Sequence, residues 1–111
     1  MHQHYQELKK NSANYIPLSP LSFLARTADI FGSRTAIIYG DRHYSWQQTY
    51  DRCRALASAL LSHGLQLGDT VSIIAANTPE MYEAHFGVPM AGCVLNTINT
   101  RLEAETIAHI L

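Results

Sequence analysis

Apolar residues recur every three or four positions in two segments of the chain, and residues typical of helix boundaries flank both. Ser19 followed by Pro20 predicts the start of a first helix, and Gly32 predicts its end. Ser45, with Gln48 three positions later, has the spacing of a capping box, and the second apolar stripe continues to a stop at Gly64. The pattern predicts two amphipathic surface helices.

Short β-branched runs predict strands in three further places. The run 35–39 and the return segment 43–45 flank Gly40-Asp41, which predicts a small hairpin. The run 70–76 (TVSIIAA) has little polar alternation, so we expect a strand that is buried on both faces. Residues 93–95 predict the next strand.

A third helix is predicted between these last two strands. It starts at Thr78 and Pro79 and continues to about Met90, and Pro89 is expected to end or bend its last turn. Most of its circumference is apolar, so we expect deep packing. Strand, helix and strand in this order predict a parallel pair joined by a right-handed crossover. The predicted fold class is α/β, with a small hairpin and a parallel strand–helix–strand unit.

The two ends of the chain differ in character. Residues 1–14 are polar and are expected to form a loose arm, so 15–111 is the predicted folded domain. Residues 104–111 begin another amphipathic helix that has no stop signal. We interpret this open end as a sign that the natural polypeptide continues, and that the domain is a truncated, partial amino-terminal subdomain.

Composition excludes several classes of protein. Of the 111 residues 47% are hydrophobic and 15% are charged, and no apolar run approaches the ~20 residues of a membrane span. The formal charge of −1, with scattered basic residues, argues against nucleic acid as a partner. No secretory signal is recognisable, so cytoplasm is the expected location. Cys53 and Cys93 lie in apolar patterns and are expected to be buried, reduced thiols rather than a disulfide or a metal pair.

Residues that carry chemistry are sparse. The turn AANTPE at 75–80 contains no glycine, so a phosphate loop is not expected there, although the helix start at Thr78 leaves a weak anion site open. Lys9 and Lys10 are the only lysines of the chain, and both lie in the polar arm. A metal site at His2 and His4 is disfavoured, because histidine pairs in mobile arms are usually solvated.

Four other side chains have both a structural and a functional interpretation. For His85 a hydrogen-bonded core or interface role is favoured over a general base. For Tyr44, Trp46 and Tyr50 packing is favoured over stacking on a ligand. We therefore predict no catalytic, cofactor-binding or metal-binding residue in this chain.

From Tyr15 to Leu111 the sequence resembles the start of the acyl-CoA synthetases of the adenylate-forming (AMP-binding) superfamily. The resemblance rests on PLSPLSFLARTADIFGSRTAIIYGDRHYSW at 17–46 and on GDTVSIIAANTPEMYEAHFGVPMAGCVLNTINTRLEAETIAHIL at 68–111. The segment NTINTRL at 96–102 is similar to short- and medium-chain fatty acyl and methylthioalkanoate CoA ligases in particular.

The resemblance implies a ligase of fatty acid metabolism that acts in two steps. A carboxylate attacks ATP, accompanied by magnesium, to give an acyl-adenylate and pyrophosphate, and coenzyme A then displaces AMP. In the family the phosphate loop, the nucleotide contacts and the catalytic lysine all follow the region present here. The resemblance therefore implies a scaffold segment that is inactive alone and, as in some relatives, a homodimer surface.

Two alternatives remain beside this hypothesis. A stand-alone α/β interaction module without catalysis would need a capped final helix. A Rossmann-like or flavodoxin-like nucleotide binder would need glycine in the turn at 75–80. The apolar helix 79–90 is expected to lack part of its cover in the isolated chain, which predicts a homo-oligomer.

Overall fold

The computed structural model describes residues 9–13 and 15–111 of the chain. The two helices and two strands of its first half are α1 (Pro20–Phe31), β1 (Thr35–Tyr39), β2 (Arg42–Ser45) and α2 (Trp46–Ser62). The second half contains β3 (Thr70–Ile74), α3 (Pro79–Met90), β4 (Val94–Ile98) and α4 (Ala104–Ile110). Strands β1 and β2 pair antiparallel, whereas β3 and β4 pair parallel, so the predicted α/β class is confirmed.

The first three helices begin where the local sequence predicts. The Ser19 hydroxyl accepts a hydrogen bond from the N–H of Leu21 at 3.2 Å. At α2 the Ser45 hydroxyl accepts from the N–H of Gln48 at 3.2 Å, while the Gln48 side chain accepts from the N–H of Ser45 at 2.9 Å. The Thr78 hydroxyl accepts from the N–H of Met81 at 3.4 Å. Each cap satisfies N–H groups that have no partner within the helix.

The core lies between α2, α3 and one face of the parallel sheet. Its buried members are small or medium side chains: Ala57, Ala84, Val88, Ala91 and Cys93. Gly87 brings the two helices close together, because a Cβ at this position would stand 2.6 Å from Cδ2 of Leu56. Helix α3 is therefore held against α2 on one side and against the sheet on the other.

The prediction for β3 was wrong in length and in burial. The strand ends at Ile74, two residues early, because Ala75 and Ala76 belong to the turn into α3. Val71 and Ile73 are half-buried, whereas Thr70, Ser72 and Ile74 are exposed. Among the described residues only one face of this sheet is covered, so the strand alternates like a half-buried strand.

Strand β4 is longer than predicted and α3 is more exposed. Residues 94–98 form β4, because the register pairs each of them in turn with a residue of β3, from Thr70 with Val94 to Ile74 with Ile98. On α3, Met81 and Val88 are buried as expected. Tyr82 and His85 are exposed, so the expected deep packing fails on one side of α3, in agreement with the expectation that this helix lacks part of its cover in the isolated chain.

Candidate binding cleft at the carboxyl ends of the parallel strands

Polar side chains converge in a cleft at the edge of the sheet where β3 and β4 both end. The cleft has a volume of about 540 Å³. Its walls are the turn from β3 into α3, one face of α3 and the loop after β4, which contribute Ala75, Ala76, Asn77, Met81, His85 and Thr97 to Arg101. The carboxyl edge of parallel strands is where open α/β sheets bind ligands. We call this surface the polar cleft.

The loop after β4 folds into a turn that presents Arg101 at the rim of the polar cleft. The Asn99 side-chain oxygen accepts a hydrogen bond from the N–H of Arg101 at 3.0 Å, and the Asn99 carbonyl accepts from the N–H of Leu102 at 3.4 Å. Within residues 9–13 and 15–111 the ion pairs are those of Arg42 and Arg52, so the guanidinium of Arg101 has no carboxylate partner there. The guanidinium is therefore a positive charge at the cleft that an anion can bind.

His85 lines the same cleft from α3. Its Nδ1 lies 2.8 Å from the carbonyl oxygen of Met81, and since a carbonyl only accepts, Nδ1 is the donor of this hydrogen bond. The predicted hydrogen bond is present, and the exposed side chain excludes the core position, so an interface role remains the expectation for His85. No carboxylate is bonded to the ring among the described residues, so the arrangement lacks the third group that orients a general base.

The turn before α3 uses its own polar groups. The N–H of Thr78 donates to the carbonyl of Ala76 at 2.8 Å, and the Thr78 hydroxyl caps the helix. A glycine-free turn with engaged groups offers little backbone to a phosphate. The part of the chain that the structure describes holds no set of three His, Cys, Asp or Glu side chains that fits a metal. His2 and His4 lie outside the described residues.

The aromatic residues singled out in the sequence have separate neighbours. The Arg52 guanidinium lies 4.7 Å from the Tyr44 ring centre, and that of Arg54 lies 5.6 Å from the centre of Tyr50. Trp46 lines an apolar groove of about 370 Å³ beside α1 and α3. This apolar groove is lined mainly by Leu18, Pro20, Phe23, Trp46, Tyr82 and Phe86. The three residues thus do not form one stacking platform.

Sequence reasoning missed two arginine–glutamate pairs that connect α3 to the first half of the chain. Arg42 bonds Glu80 at 2.6 and 3.3 Å, and Arg52 bonds Glu83 at 2.5 and 3.1 Å. The partners are 38 and 31 residues apart. No local periodicity reports such a contact, and only the buried position of a glutamate on an apolar helix could have signalled it.

Both cysteines are buried and free, as predicted. Burial raises the pKa of the Cys53 thiol to about 11, with a smaller contribution from the Glu83 charge. A thiol with so high a pKa is mostly protonated near neutrality and is a weak nucleophile. Cys53 is therefore a core residue and not a reactive group.

Comparison with known proteins gives a consistent family. The model of the AMP-binding enzyme family matches residues 24–111. An acetate–CoA ligase of Humulus lupulus is 57% identical over 105 residues, which are 95% of this chain and 18% of that protein. A peroxisomal acetate/butyrate–CoA ligase of Arabidopsis thaliana is 56% identical over the same shares. A peroxisomal trans-cinnamate:CoA ligase of Petunia hybrida is 54% identical, again over 95% of this chain and 18% of its own length.

Solved structures agree with this result. A protein from Rhodopseudomonas palustris described as a long-chain-fatty-acid CoA ligase superposes with a TM-score of 0.80 at 33% identity, over 85% of this chain and 24% of its own. The anthranilate CoA ligase AuaEII has the same fold, with a TM-score of 0.81 at 23% identity, over 93% of this chain and 20% of its own. The chain thus spans about 18% of the length of the curated relatives it matches.

Proposed function

Because the chain belongs to the AMP-binding enzyme family, we propose that it forms the amino-terminal segment of an ATP-dependent acyl-CoA ligase. The observation that carries the proposal is identity of 50–57% to relatives most of which are named as CoA ligases, over 89–96% of this chain. The proposed reaction activates a carboxylate with ATP and magnesium to an acyl-adenylate and then transfers the acyl group to coenzyme A. The polypeptide that carries this segment would perform both steps.

The segment itself is proposed to be a scaffold without a catalytic group or a metal ligand. In the polar cleft His85 lacks an orienting carboxylate, and Arg101 cannot act as an acid or base at neutral pH. Nothing in these two side chains splits a phosphate ester or attacks a carbonyl. The chemistry is therefore assigned to the remainder of the ligase.

We extend the proposal in one respect beyond the sequence-based expectation of no cofactor contact. Both nucleotides of the proposed reaction, ATP and coenzyme A, carry phosphates. Arg101 is a cation without a carboxylate partner in the described chain and stands at the rim of the polar cleft. Guanidinium groups bind phosphate through paired N–H donors. We assign Arg101 a contact with a phosphate of one of these nucleotides.

The substrate class follows the relatives in outline. Their names specify acetate, butyrate, benzoate and trans-cinnamate, which are carboxylic acids of small or moderate size. We propose a carboxylic acid of this size range as the substrate. Fatty acid metabolism, which the resemblance in sequence implies, is the broader form of this proposal. Several of these relatives are named as peroxisomal, so the cytoplasmic location expected from the sequence stays a proposal beside the peroxisome.

The test compares the 111-residue chain with the ligase polypeptide that contains it. Release of pyrophosphate and formation of acyl-CoA are measured with ATP, coenzyme A and acetate, butyrate or benzoate. We expect turnover by the containing polypeptide and none by the chain alone. Turnover by the chain alone would refute the scaffold role, and a folded containing polypeptide without turnover on any acid would refute the ligase assignment.

The Arg101 contact is tested in the same assay. Arg101→Gln is expected to raise KM for ATP or for coenzyme A by about tenfold, the size of one lost charge-assisted hydrogen bond, while kcat stays within about twofold. The nucleotide whose KM rises identifies the ligand of the cleft. Arg54→Gln, an exposed arginine on α2 that contacts only Tyr50 among the aromatic rings described, is the matched control and should leave both constants unchanged.

A further inference from the structure

Glu83 is a buried carboxylate on α3, with only 6% of its surface exposed. Its two carboxylate oxygens accept hydrogen bonds from two N–H groups on one edge of the Arg52 guanidinium, which belongs to α2. Nε donates to Oε1 at 2.5 Å and Nη2 donates to Oε2 at 3.1 Å. The Cζ atom of the same guanidinium lies over the Tyr44 ring, 4.7 Å from its centre. Arg52 is thus fixed in position on two sides, and Glu83 through it.

The position of Glu83 on α3 determines which other side chains the Arg52–Glu83 pair can orient. At about 100° per residue, Met81 and His85 lie on one side of α3, and Glu83 lies on the opposite side. Gly87, one turn after Glu83, is the residue whose missing Cβ lets Leu56 of α2 approach. One face of α3 therefore docks on α2, and the other face forms a wall of the polar cleft.

We propose that Arg52 is a positioning residue that, through Glu83, sets the rotation of α3 about its axis and thereby places Met81 and His85 in the polar cleft. This inference rests on the proposed function, because it takes the polar cleft to bind a phosphorylated nucleotide. Small apolar side chains, such as those of Ala57 and Ala84 in the core cluster, permit a helix to turn by some degrees, whereas a two-point hydrogen bond restricts this rotation. Arg52 thus supplies an angular constraint that close packing of alanines lacks.

The chain contains its own matched comparison in the second pair. Arg42 also bonds a glutamate of α3 at two points, Glu80, and also lies over a tyrosine ring, Tyr39 at 5.2 Å. The two pairs differ in their glutamates: the side chain of Glu80 is 50% exposed and that of Glu83 8%, whereas the arginines are alike at 43% and 39%. Exposed pairs constrain little, because water replaces them readily. Loss of the Arg42 pair is therefore expected to leave the polar cleft in place.

The experiment measures kinetics in the ligase polypeptide that contains this segment. Arg52→Gln is expected to raise KM for the nucleotide that binds the cleft by about fivefold or more, with kcat within about twofold. Arg52→Lys keeps the charge but loses the fork geometry, so an intermediate KM is expected. Arg42→Gln is the control and should leave KM unchanged. A rise in KM common to both variants would overturn the special role of Arg52.

A second variant separates positioning from stability. Arg52→Met with Glu83→Leu replaces an ion pair whose carboxylate is buried and whose guanidinium is half-buried, and an exchange of such a pair for apolar side chains is often neutral or stabilising. We expect its Tm close to that of the unaltered enzyme and its KM raised as in Arg52→Gln. An unchanged KM in this folded double variant overturns the proposal. If the unaltered polypeptide makes no acyl-CoA, the proposed function fails, and hydrogen exchange of backbone amides then tests the role of Arg52 independently. The amides of residues 81–85 must exchange faster in Arg52→Gln than in Arg42→Gln, and equal rates would overturn the role of Arg52.

Discussion

Glu80 is the carboxylate whose titration the fold changes most clearly. Its hydrogen bond from Arg42, and then a backbone N–H, lower the pKa of Glu80 from 4.5 to about 2. A lowered pKa in the folded state stabilises the fold above pH 4.5, and this contribution disappears as the pH falls from 4.5 towards 2. We expect the carboxyl carbon of Glu80, followed by NMR, to titrate below its ordinary pKa of 4.5.

The variant Arg42→Gln removes the cause and provides the check. In it the midpoint of Glu80 should move back towards its ordinary value, and the dependence of Tm on pH between 4.5 and 2 should become weaker. Arg54→Gln removes an exposed arginine that has no carboxylate partner in the structure and should leave the midpoint where it is. A Glu80 midpoint that stays low in Arg42→Gln would contradict this assignment.

At the residue scale, the sequence predicted what depends on near neighbours. The caps at Ser19, Ser45 and Thr78 act over two or three positions, so their spacing alone specifies them. The Arg52–Glu83 bond joins residues that tertiary packing brings together, and its one trace in the sequence is a glutamate on a largely apolar helix, which does not identify the partner. The burial of Glu83 is thus a property of the α2–α3 contact and not of α3 alone.

The contact between α2 and α3 depends on a residue without a side chain. A Cβ at Gly87 would stand 2.6 to 2.9 Å from three side-chain carbons of Leu56, including its Cβ, which cannot move without the backbone. Overpacking of this kind costs about 1–3 kcal/mol. The higher helix propensity of alanine offsets about 1 kcal/mol of this cost. We therefore expect Gly87→Ala to lower the free energy of unfolding by about 1 kcal/mol.

Urea denaturation followed by circular dichroism measures this change in the 111-residue chain. Ser58→Ala, on the exposed side of α2, is the control and should change the free energy of unfolding by less than about 0.5 kcal/mol. If Gly87→Ala instead stabilises the chain, α2 and α3 can move apart to accommodate a methyl group without loss of stability. The close contact at Gly87 would then not determine how α3 packs on α2.

At the scale of elements, order and type were predictable and burial was not. The β-branched run 70–76 was expected to be covered on both faces, because its sequence has the apolar continuity of a central parallel strand. The structure covers one face, since α2 and α3 lie on the same side of β3. The apolar residue Ile74, 51% exposed, marks the uncovered side.

At the scale of the whole molecule, the α/β class followed from the alternation of elements, whereas the polar cleft did not. Asn77 lies in the turn after β3, and Asn99 and Arg101 lie in the loop after β4, more than 20 residues on. Only the parallel register of the two strands brings these loops to one edge. The family followed from resemblance over 17–46 and 68–111, a signal that periodicity does not contain.

In the described part no helix has the length and apolar character that crossing a membrane requires.

Exposed apolar surface leads to a last prediction, the homo-oligomer proposed for this chain. Leu18 is 90% and Phe23 57% exposed at the apolar groove, and they stand beside Trp46, Tyr82 and Phe86. Contiguous apolar surface of this kind promotes association, because burial releases about 25 cal/mol per Å². We propose that the groove joins two copies of the chain and expect light scattering at tens of micromolar to give a mass above 12.4 kDa.

Leu18→Ser with Phe23→Ser should restore the mass of the monomer, because it removes apolar area from the groove without touching the core between α2 and α3. Leu67→Ser is the matched control: this leucine is 88% exposed and does not line the groove, so the assembly should persist. A monomeric unaltered chain at all concentrations would refute the oligomer. Association that survives in the double variant would place the contact on another surface, such as the uncovered face of the parallel sheet beside Ile74.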